Sequence, residues 1–257
     1  MLLAIDIGNT NIHLGLWRDG AWNPSWRART VHEKMADEYG VLVRNFLNSA
    51  GLGFDAVDSV VMSSVVPILT GRFAELVERY IHVQPLIVTH EVKLCVKVAI
   101  DIPAQAGPDR LANAAAACHL FGGPAVVIDF GTSTNFDVVS ADGKYIGGAI
   151  APGIGLAHDA LVSRAARLHK VDLVPPPNAI GRNTIHAMQS GIFWGYVGLI
   201  EGILTRIKNE LDSEDTKVIA TGGLATLFEQ HVPGIDIIAS ELTLDGLRII
   251  YELNAGH

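Results

Sequence analysis

The sequence predicts an α/β protein built from two halves of similar topology. Two observations carry that expectation: a strand, glycine turn, strand and Asp-Gly turn occurring twice, and helical stretches after each copy that lead to further short apolar strands. The first copy runs through Leu2–Ile7 into Gly8-Asn9-Thr10-Asn11, resumes over 12–17 and turns at Asp19-Gly20. The second runs through 125–129 into Gly131-Thr132-Ser133-Thr134-Asn135, resumes over 136–139 and turns at Asp142-Gly143. Asp6 and Asp129, Gly8 and Gly131, and Asp19 and Asp142 are each 123 positions apart.

The intervening segments fill in the halves. In the first, periodicity predicts a helix over 37–50, a strand over 57–62, a helix over 73–80 and a strand over 86–88; Pro108 suits the first turn of a helix through the alanine-rich 111–117. In the second, helices are expected over 155–168 and 184–211, a strand over 218–220, a helix opening at Thr221-Gly222-Gly223 and a strand over 235–238. Pro175-Pro176-Pro177 is too short to separate domains and reads as a rigid connection. The halves are expected to divide as 1–120 and 121–257.

Composition limits the functions open to this fold. The 257 residues carry 19 Lys and Arg against 27 Asp and Glu, a formal charge of −8, so nucleic acid is not an expected partner. With 49% apolar and 18% charged residues the chain is too hydrophobic for disorder. No cation precedes Arg18, which argues against a signal peptide, and no apolar run is long enough to span a bilayer, so a cytoplasmic protein is expected. Cys95 and Cys118 lack CxxC spacing and read as buried thiols, while the histidines form no HxxxH or HExxH pair. Walker A, GxGxxG and GxSxG motifs are absent. Glycine is the excess, about one residue in ten against a usual 7% or so, and indicates either linkers or backbone-lined loops.

Four places could carry chemistry. In Asp6-Ile7-Gly8-Asn9-Thr10-Asn11, glycine exposes backbone donors, Asn and Thr add polar groups, and the carboxylate could face phosphate through the waters of Mg²⁺; an ordinary hairpin is the alternative. Asp129-Phe130-Gly131-Thr132 repeats the pattern and strengthens the phosphate reading. Asp109, in Gly107-Pro108-Asp109-Arg110, either complements a helix dipole or serves as an oriented acceptor beside Arg110. Its helix N-terminus predicts a lowered pKa, and Gly107 with the alanine face predicts free space around the carboxylate. The fourth is the helix from Thr184. Ile185, Met188, Ile192, Tyr196, Leu199, Ile203, Ile207 and Leu211 form its apolar stripe, and Gly191, Gly195, Gly198 and Gly202 form a second face. Four interior glycines cost helix stability and imply close packing, against either a dimer partner or an internal helix.

Taken together, the Asp6–Asn11 motif, Gly107-Pro108-Asp109-Arg110, Asp129-Phe130-Gly131-Thr132 with Gly147-Gly148-Ala149-Ile150-Ala151-Pro152-Gly153 behind it, and Thr221-Gly222-Gly223 resemble type III pantothenate kinases, in order from residue 1 to about 250. The resemblance implies two duplicated ribonuclease H-like (actin-like ATPase) domains with the nucleotide cleft between them. It implies ATP-dependent phosphorylation of pantothenate, the first step towards coenzyme A, by a homodimer using Mg²⁺ and a monovalent cation, K⁺ or NH₄⁺. Carried over residue by residue, it makes Asp6, Ile7, Gly8, Asn9, Thr10, Asn11, Ile12 and His13 the first ATP-binding segment, with Asp6 holding Mg²⁺ through water. Thr132, Gly222 and Gly223 become further ATP contacts, and Asp129 the monovalent-cation residue. Gly107, Pro108, Asp109 and Arg110 become the pantothenate segment with Asp109 as base, and Thr184 a further substrate contact. Ile100 stands where relatives sometimes carry a substrate-contacting Tyr. A transcriptional accessory protein on the same scaffold, or another small-molecule kinase, are the other functions the resemblance leaves open.

Overall fold

The computed structural model describes residues 1–165 and 168–256. It divides into two compact units: Met1–Leu120 together with Leu242–His257, and Phe121–Glu241.

The first unit begins with β1 (Leu2–Ile7), β2 (Asn11–Arg18) and β3 (Ala21–Arg29), an antiparallel meander. It continues through α1 (Ala36–Ser49), β4 (Ser59–Ser64), α2 (Pro67–Leu76), β5 (Leu86–Ile87), the short β6 (Lys97–Val98) and α3 (Pro108–Phe121). The sheet order is β3-β2-β1-β4-β5, with β4 and β5 parallel to β1. Central β1 is apolar on both faces, as a strand covered from both sides must be, whereas edge strand β3 alternates and puts Arg27 and Arg29 in water. One face, with Leu3, Ile5, Ile7 and Leu14, packs on Tyr39, Val43 and Leu47 of α1 and on Leu69 and Phe73 of α2. Pro67 starts α2 six residues before the expected 73, because a proline at N1 forfeits no helical hydrogen bond.

The second unit repeats the plan: β7 (Ala125–Phe130), β8 (Ser133–Val139), β9 (Lys144–Pro152), α4 (Ile154–Arg164), α5 (Thr184–Leu211), β10 (Lys217–Thr221), α6 (Ala225–Phe228) and β11 (Ile237–Ile238). Its strands lie in the order β11-β10-β7-β8-β9, the mirror listing of the first unit's order. Three antiparallel strands followed by two parallel ones, twice, is the ribonuclease H-like topology. The expected helix over 155–168 ends at Arg164, and positions 166–167 of that expectation lie outside the described residues.

The 123-residue offset conceals two compensating changes. Ile7 pairs with Ile12 across residues 8–11, but Phe130 pairs with Thr134 across 131–133, a loop one residue shorter. Arg18 pairs with Ala21 around Asp19 and Gly20, both at positive φ as a type I′ turn requires, whereas the second hairpin turns over the longer 140–144.

The last helix, α7 (Leu242–Asn254), corrects the expected boundary, for it belongs to the first unit rather than extending the second. Leu244, Leu247 and Ile250 join Leu2, Ala4 and Val61 of the sheet and Ala112 and Ala115 of α3 in one core. At Gly246 an added Cβ would lie 1.9 Å from the Ala112 carbonyl oxygen, so the two helices touch through backbone. Trp22 Nε1 donates to Asp245 Oδ1 at 2.8 Å, and the Arg248 guanidinium sits 4.5 Å over the Trp17 ring. An amphipathic pattern reveals that a helix has a buried face, not which sheet covers it.

Two further expectations are corrected. On α5 the core also takes in Phe193, Val197, Ile200 and Leu204; of the predicted stripe, Met188 and Tyr196 are buried, Ile192, Leu199, Ile203, Ile207 and Leu211 pack against the core, and Ile185 is exposed. Cys95 and Cys118 are free thiols but only partly buried, with Cys95 Sγ 3.7 Å from His119 Nδ1.

Candidate active site

Asp6 stands at the C-terminal end of β1, partly exposed, opposite His13 on β2 and Ser63 on β4. The Ser63 hydroxyl donates to Asp6 Oδ1 at 2.6 Å. The following loop is clamped from two sides: Gly8 N donates to the Asn11 carbonyl at 3.0 Å, Thr30 Oγ1 to the Gly8 carbonyl at 2.7 Å, and Thr30 N to the Thr10 carbonyl at 2.9 Å. Asn9, Thr10 and Asn11 consequently project into solvent from a fixed backbone, in keeping with a donor-rich ligand loop. Ile7 and Ile12 differ, since their side chains are in the core; His13 is also buried.

In the second unit Asp129 holds the same place on β7, partly exposed, in register with Asn135 on β8 and Thr221 on β10. Gly131 N donates to the Ser133 carbonyl at 3.0 Å, and Thr132 is exposed at the turn. Gly153 N donates to the Thr132 carbonyl at 3.1 Å; a Cβ there would lie 2.4 Å from that oxygen. Gly222, at φ +89°, lies against the carboxylate, where a Cβ would come within 2.7 Å of Asp129 Oδ1 and of the Phe130 carbonyl. Only glycine satisfies both the left-handed backbone and that approach. Gly223 beside it is exposed with open space around its Cα, and the helix expected after it is the short α6.

Pro108 is the first residue of α3, and Asp109 therefore lies in its first turn. Asp109 Oδ1 accepts from the Arg110 backbone N–H at 2.9 Å. Burial pushes the Asp109 carboxyl above its ordinary range; the Arg110 N–H and guanidinium charge pull the other way without cancelling it. The helix-terminus argument predicted the opposite sign, and it fails because desolvation of a carboxylate outweighs one N–H and a partial dipole. The alanine face gives no free space either, since Ala112 and Ala115 are packed against α7. Gly107 does serve the carboxylate: a Cβ there would sit 2.6 Å from Asp109 Oδ1. Ile100 is half-buried in the segment leading to this motif.

Thr184 is exposed at the first turn of α5, whose N-cap Asn183 accepts from His186 N at 2.8 Å. It borders a groove of about 910 Å³ whose walls include Pro152, Ile154, Met188, Gly191, Gly195 and Tyr196. At Gly191, Gly195 and Gly198 an added Cβ would meet nothing within 4 Å among the described residues, so these glycines make no close helix contact there.

Sequence reasoning missed Ser63, and it placed Thr221 in the Thr221-Gly222-Gly223 motif without its register; both are hydroxyl residues beside the two carboxylates. The available signal was a polar residue ending an apolar run, Val60-Val61-Met62-Ser63 and Val218-Ile219-Ala220-Thr221.

A family model described as type III pantothenate kinase matches residues 2–206. A type III pantothenate kinase of Roseiflexus sp. (strain RS-1) is 48% identical over 254 residues, covering 99% of each chain. The chain belongs to the type III pantothenate kinase family. A second member, from Moorella thermoacetica, is 47% identical over 99% of this chain and 100% of its own. Among solved structures, a conserved Campylobacter jejuni protein assigned to the Baf family of transcriptional activators superposes with a TM-score of 0.62 at 19% identity over 98% of both chains. A Sinorhizobium meliloti protein assigned as a 2-dehydro-3-deoxygalactonokinase gives 0.57 at 16% identity, over 98% of this chain and 96% of its own. These two show the fold that this family shares with sugar kinases. Among the described residues no helix is long and apolar enough to cross a membrane, and no three His, Cys, Asp or Glu residues form a metal cluster.

Proposed function

We propose that this chain catalyses the reaction for which its family is named, transfer of the γ-phosphoryl group of ATP to the primary hydroxyl of pantothenate, the first step of coenzyme A synthesis, with Asp109 as the base. The observation that carries the reading is the Asp109 environment: a carboxylate fixed at a helix start by the Arg110 N–H, relieved of a Cβ at Gly107, and raised in pKa by burial. A raised pKa makes it a better proton acceptor than an ordinary Asp. Phosphoryl transfer through a loose transition state asks mainly that the attacking hydroxyl be aligned and its proton received.

The remaining roles follow from the chemistry of each group. The Arg110 guanidinium pairs with the pantothenate carboxylate, Thr184 supplies a hydroxyl to the same substrate, and Ile100 offers an apolar contact. Gly8, Asn9, Thr10, Asn11 and Thr132 bind phosphate through backbone and side-chain donors, and the bare, open Gly223 with Gly222 leaves room for the adenosine. The carboxylates and hydroxyls at the two strand ends offer oxygen, which suits hard cations: Asp6 would hold waters of Mg²⁺, and Asp129 would help hold K⁺ or NH₄⁺. Bound Mg²⁺ neutralises charge on the phosphates during transfer. With ATP and pantothenate as substrates, a cytoplasmic location fits. The unfilled glycine face of α5 supports a homodimer: Gly195→Leu is expected to lower the mass measured by light scattering, and an unchanged oligomer rejects that role.

ADP release tests the function. Activity with pantothenate, dependent on K⁺ and reduced by about 10³-fold in Asp109→Asn with nucleotide binding intact, is the expected result. Near-normal turnover in that variant rejects Asp109 as base. Turnover with sugars alone indicates a different small-molecule kinase, and nucleotide binding without turnover indicates a regulatory protein.

A further inference from the structure

Ser63 is fully buried on β4, directly beside Asp6 in the parallel register, and its hydroxyl donates to Asp6 Oδ1 at 2.6 Å. A hydroxyl in an interior strand is unfavourable unless bonded, so its single strong bond to the carboxylate explains why a polar residue stands there at all. The neighbouring Ser64 is used differently: its Oγ accepts from Val66 N at 3.2 Å, a local turn that leads the chain into α2. The second unit places Thr221, also buried, in the same register beside Asp129. A hydroxyl beside the strand-end carboxylate thus occurs in both units, at a position the hydrophobic pattern would otherwise fill with Val or Ile.

We propose that Ser63 is a positioning residue for the divalent cation that accompanies ATP. This rests on the reading of Asp6 as the carboxylate holding that cation's waters. By occupying Oδ1, the Ser63 hydroxyl sets the plane of the carboxylate and so the direction in which Oδ2 presents its lone pairs. A group that orients a ligand without touching the ion commonly changes metal affinity by about 10–100-fold when removed. Ser63 touches neither substrate nor the reacting atoms, and its influence runs wholly through Asp6.

The test uses the full chain with ADP and Mn²⁺ as the probe, read by electron paramagnetic resonance, together with Mg²⁺ titrations of turnover. Ser63→Ala is expected to raise the Mn²⁺ dissociation constant and the Mg²⁺ concentration at half-maximal rate by about tenfold, with the pantothenate KM unchanged. Ser63→Thr keeps the hydroxyl, as Thr221 does in the other unit, and is expected to return both values to within about twofold of the parent. Parental Mn²⁺ affinity in Ser63→Ala, or a Ser63→Thr as weak as Ser63→Ala, overturns the inference. Should Ser63→Ala fail to fold, Ser63→Cys keeps the volume and loses the strong donor; parental Mn²⁺ binding in that variant overturns it equally. Asp6→Asn in parallel separates the two readings. If Asp6→Asn leaves Mn²⁺ binding unchanged, the role of Asp6 itself fails; if it weakens binding and Ser63→Ala does not, only Ser63 is misassigned.

Discussion

Asp6 and Asp129 occupy equivalent places in the same topology, with different neighbours against each carboxylate. Both end a central strand with the same sequence of burial, four buried residues, a half-exposed Asp and a buried residue. Asp6 is oriented by a hydroxyl, while Asp129 is confined by the backbone of Gly222 at positive φ. The loop after Asp6 is one residue longer and exposes three consecutive polar side chains; the loop after Asp129 is tighter and is tied to Gly153. Duplication therefore preserved the strand pairing and left the surroundings of each carboxylate free to diverge. In the proposed function that divergence separates a site for a hydrated divalent cation from one for a monovalent cation.

The sharpest way to break the comparison is to exchange charge for amide at both corners. Asp6→Asn and Asp129→Asn are each expected to lower turnover by about a hundredfold, with different remedies. Raised Mg²⁺ should restore part of the rate in the first and raised K⁺ in the second, measured by ADP release. Identical cation responses would dissolve the distinction between the corners.

Next in size comes backbone confinement. Gly222→Ala has to adopt φ +89° and place a methyl 2.7 Å from Asp129 Oδ1, so a stability loss of about 2–3 kcal/mol in urea denaturation is expected. Gly131→Ala, whose Cβ would stand 3.4 Å from the Ser133 carbonyl at an ordinary φ, should cost within about 0.5 kcal/mol. Gly8→Ala falls between, at roughly 1 kcal/mol, because its Cβ would be 3.0 Å from the Asn11 carbonyl. Equal losses at all three positions would mean that Gly222 is not the confining element.

The smallest expected effect on stability lies at Asp109, which neither corner contains. Its folded pKa is raised, so the stability associated with its protonated form is present below the unfolded pKa and is lost as pH rises through the folded value. Asp109→Asn removes that loss. At pH 7 the variant should melt slightly above the parent, the difference shrinking as pH approaches the ordinary Asp range near about 4. The acid limb of kcat/KM in the parent should lie above that range, because the base must be ionised. A variant less stable than its parent at pH 7 would contradict the burial argument.

Much of this arrangement was legible in the residues. The paired hairpins followed from glycine and Asp-Gly turn chemistry at constant spacing, and Pro108 marked the start of α3 because proline suits N1. What escaped were consequences of contacts remote in sequence. The sign of the Asp109 shift depended on desolvation, which no local motif encodes. The alanine face of α3 looked like space and proved to be a seam for α7, whose Gly246 meets the Ala112 carbonyl. The core face of α5 proved wider than the predicted stripe, because the sheet and α6 also cover Phe193, Val197 and Ile200, and it left Ile185 outside.

By itself, the sequence determined the family, the α/β class, the duplication and the positions of Asp6, Asp109 and Asp129, since turn chemistry, strand periodicity and helix starts act over a few residues. Tertiary structure decided that the chain's last helix completes the first unit, that Ser63 and Thr221 stand beside the carboxylates, and that Asp109 is desolvated. Those outcomes depend on strand register and burial, which join residues as far apart as Asn113 and Thr243 and arise only when the sheet and its helices pack together.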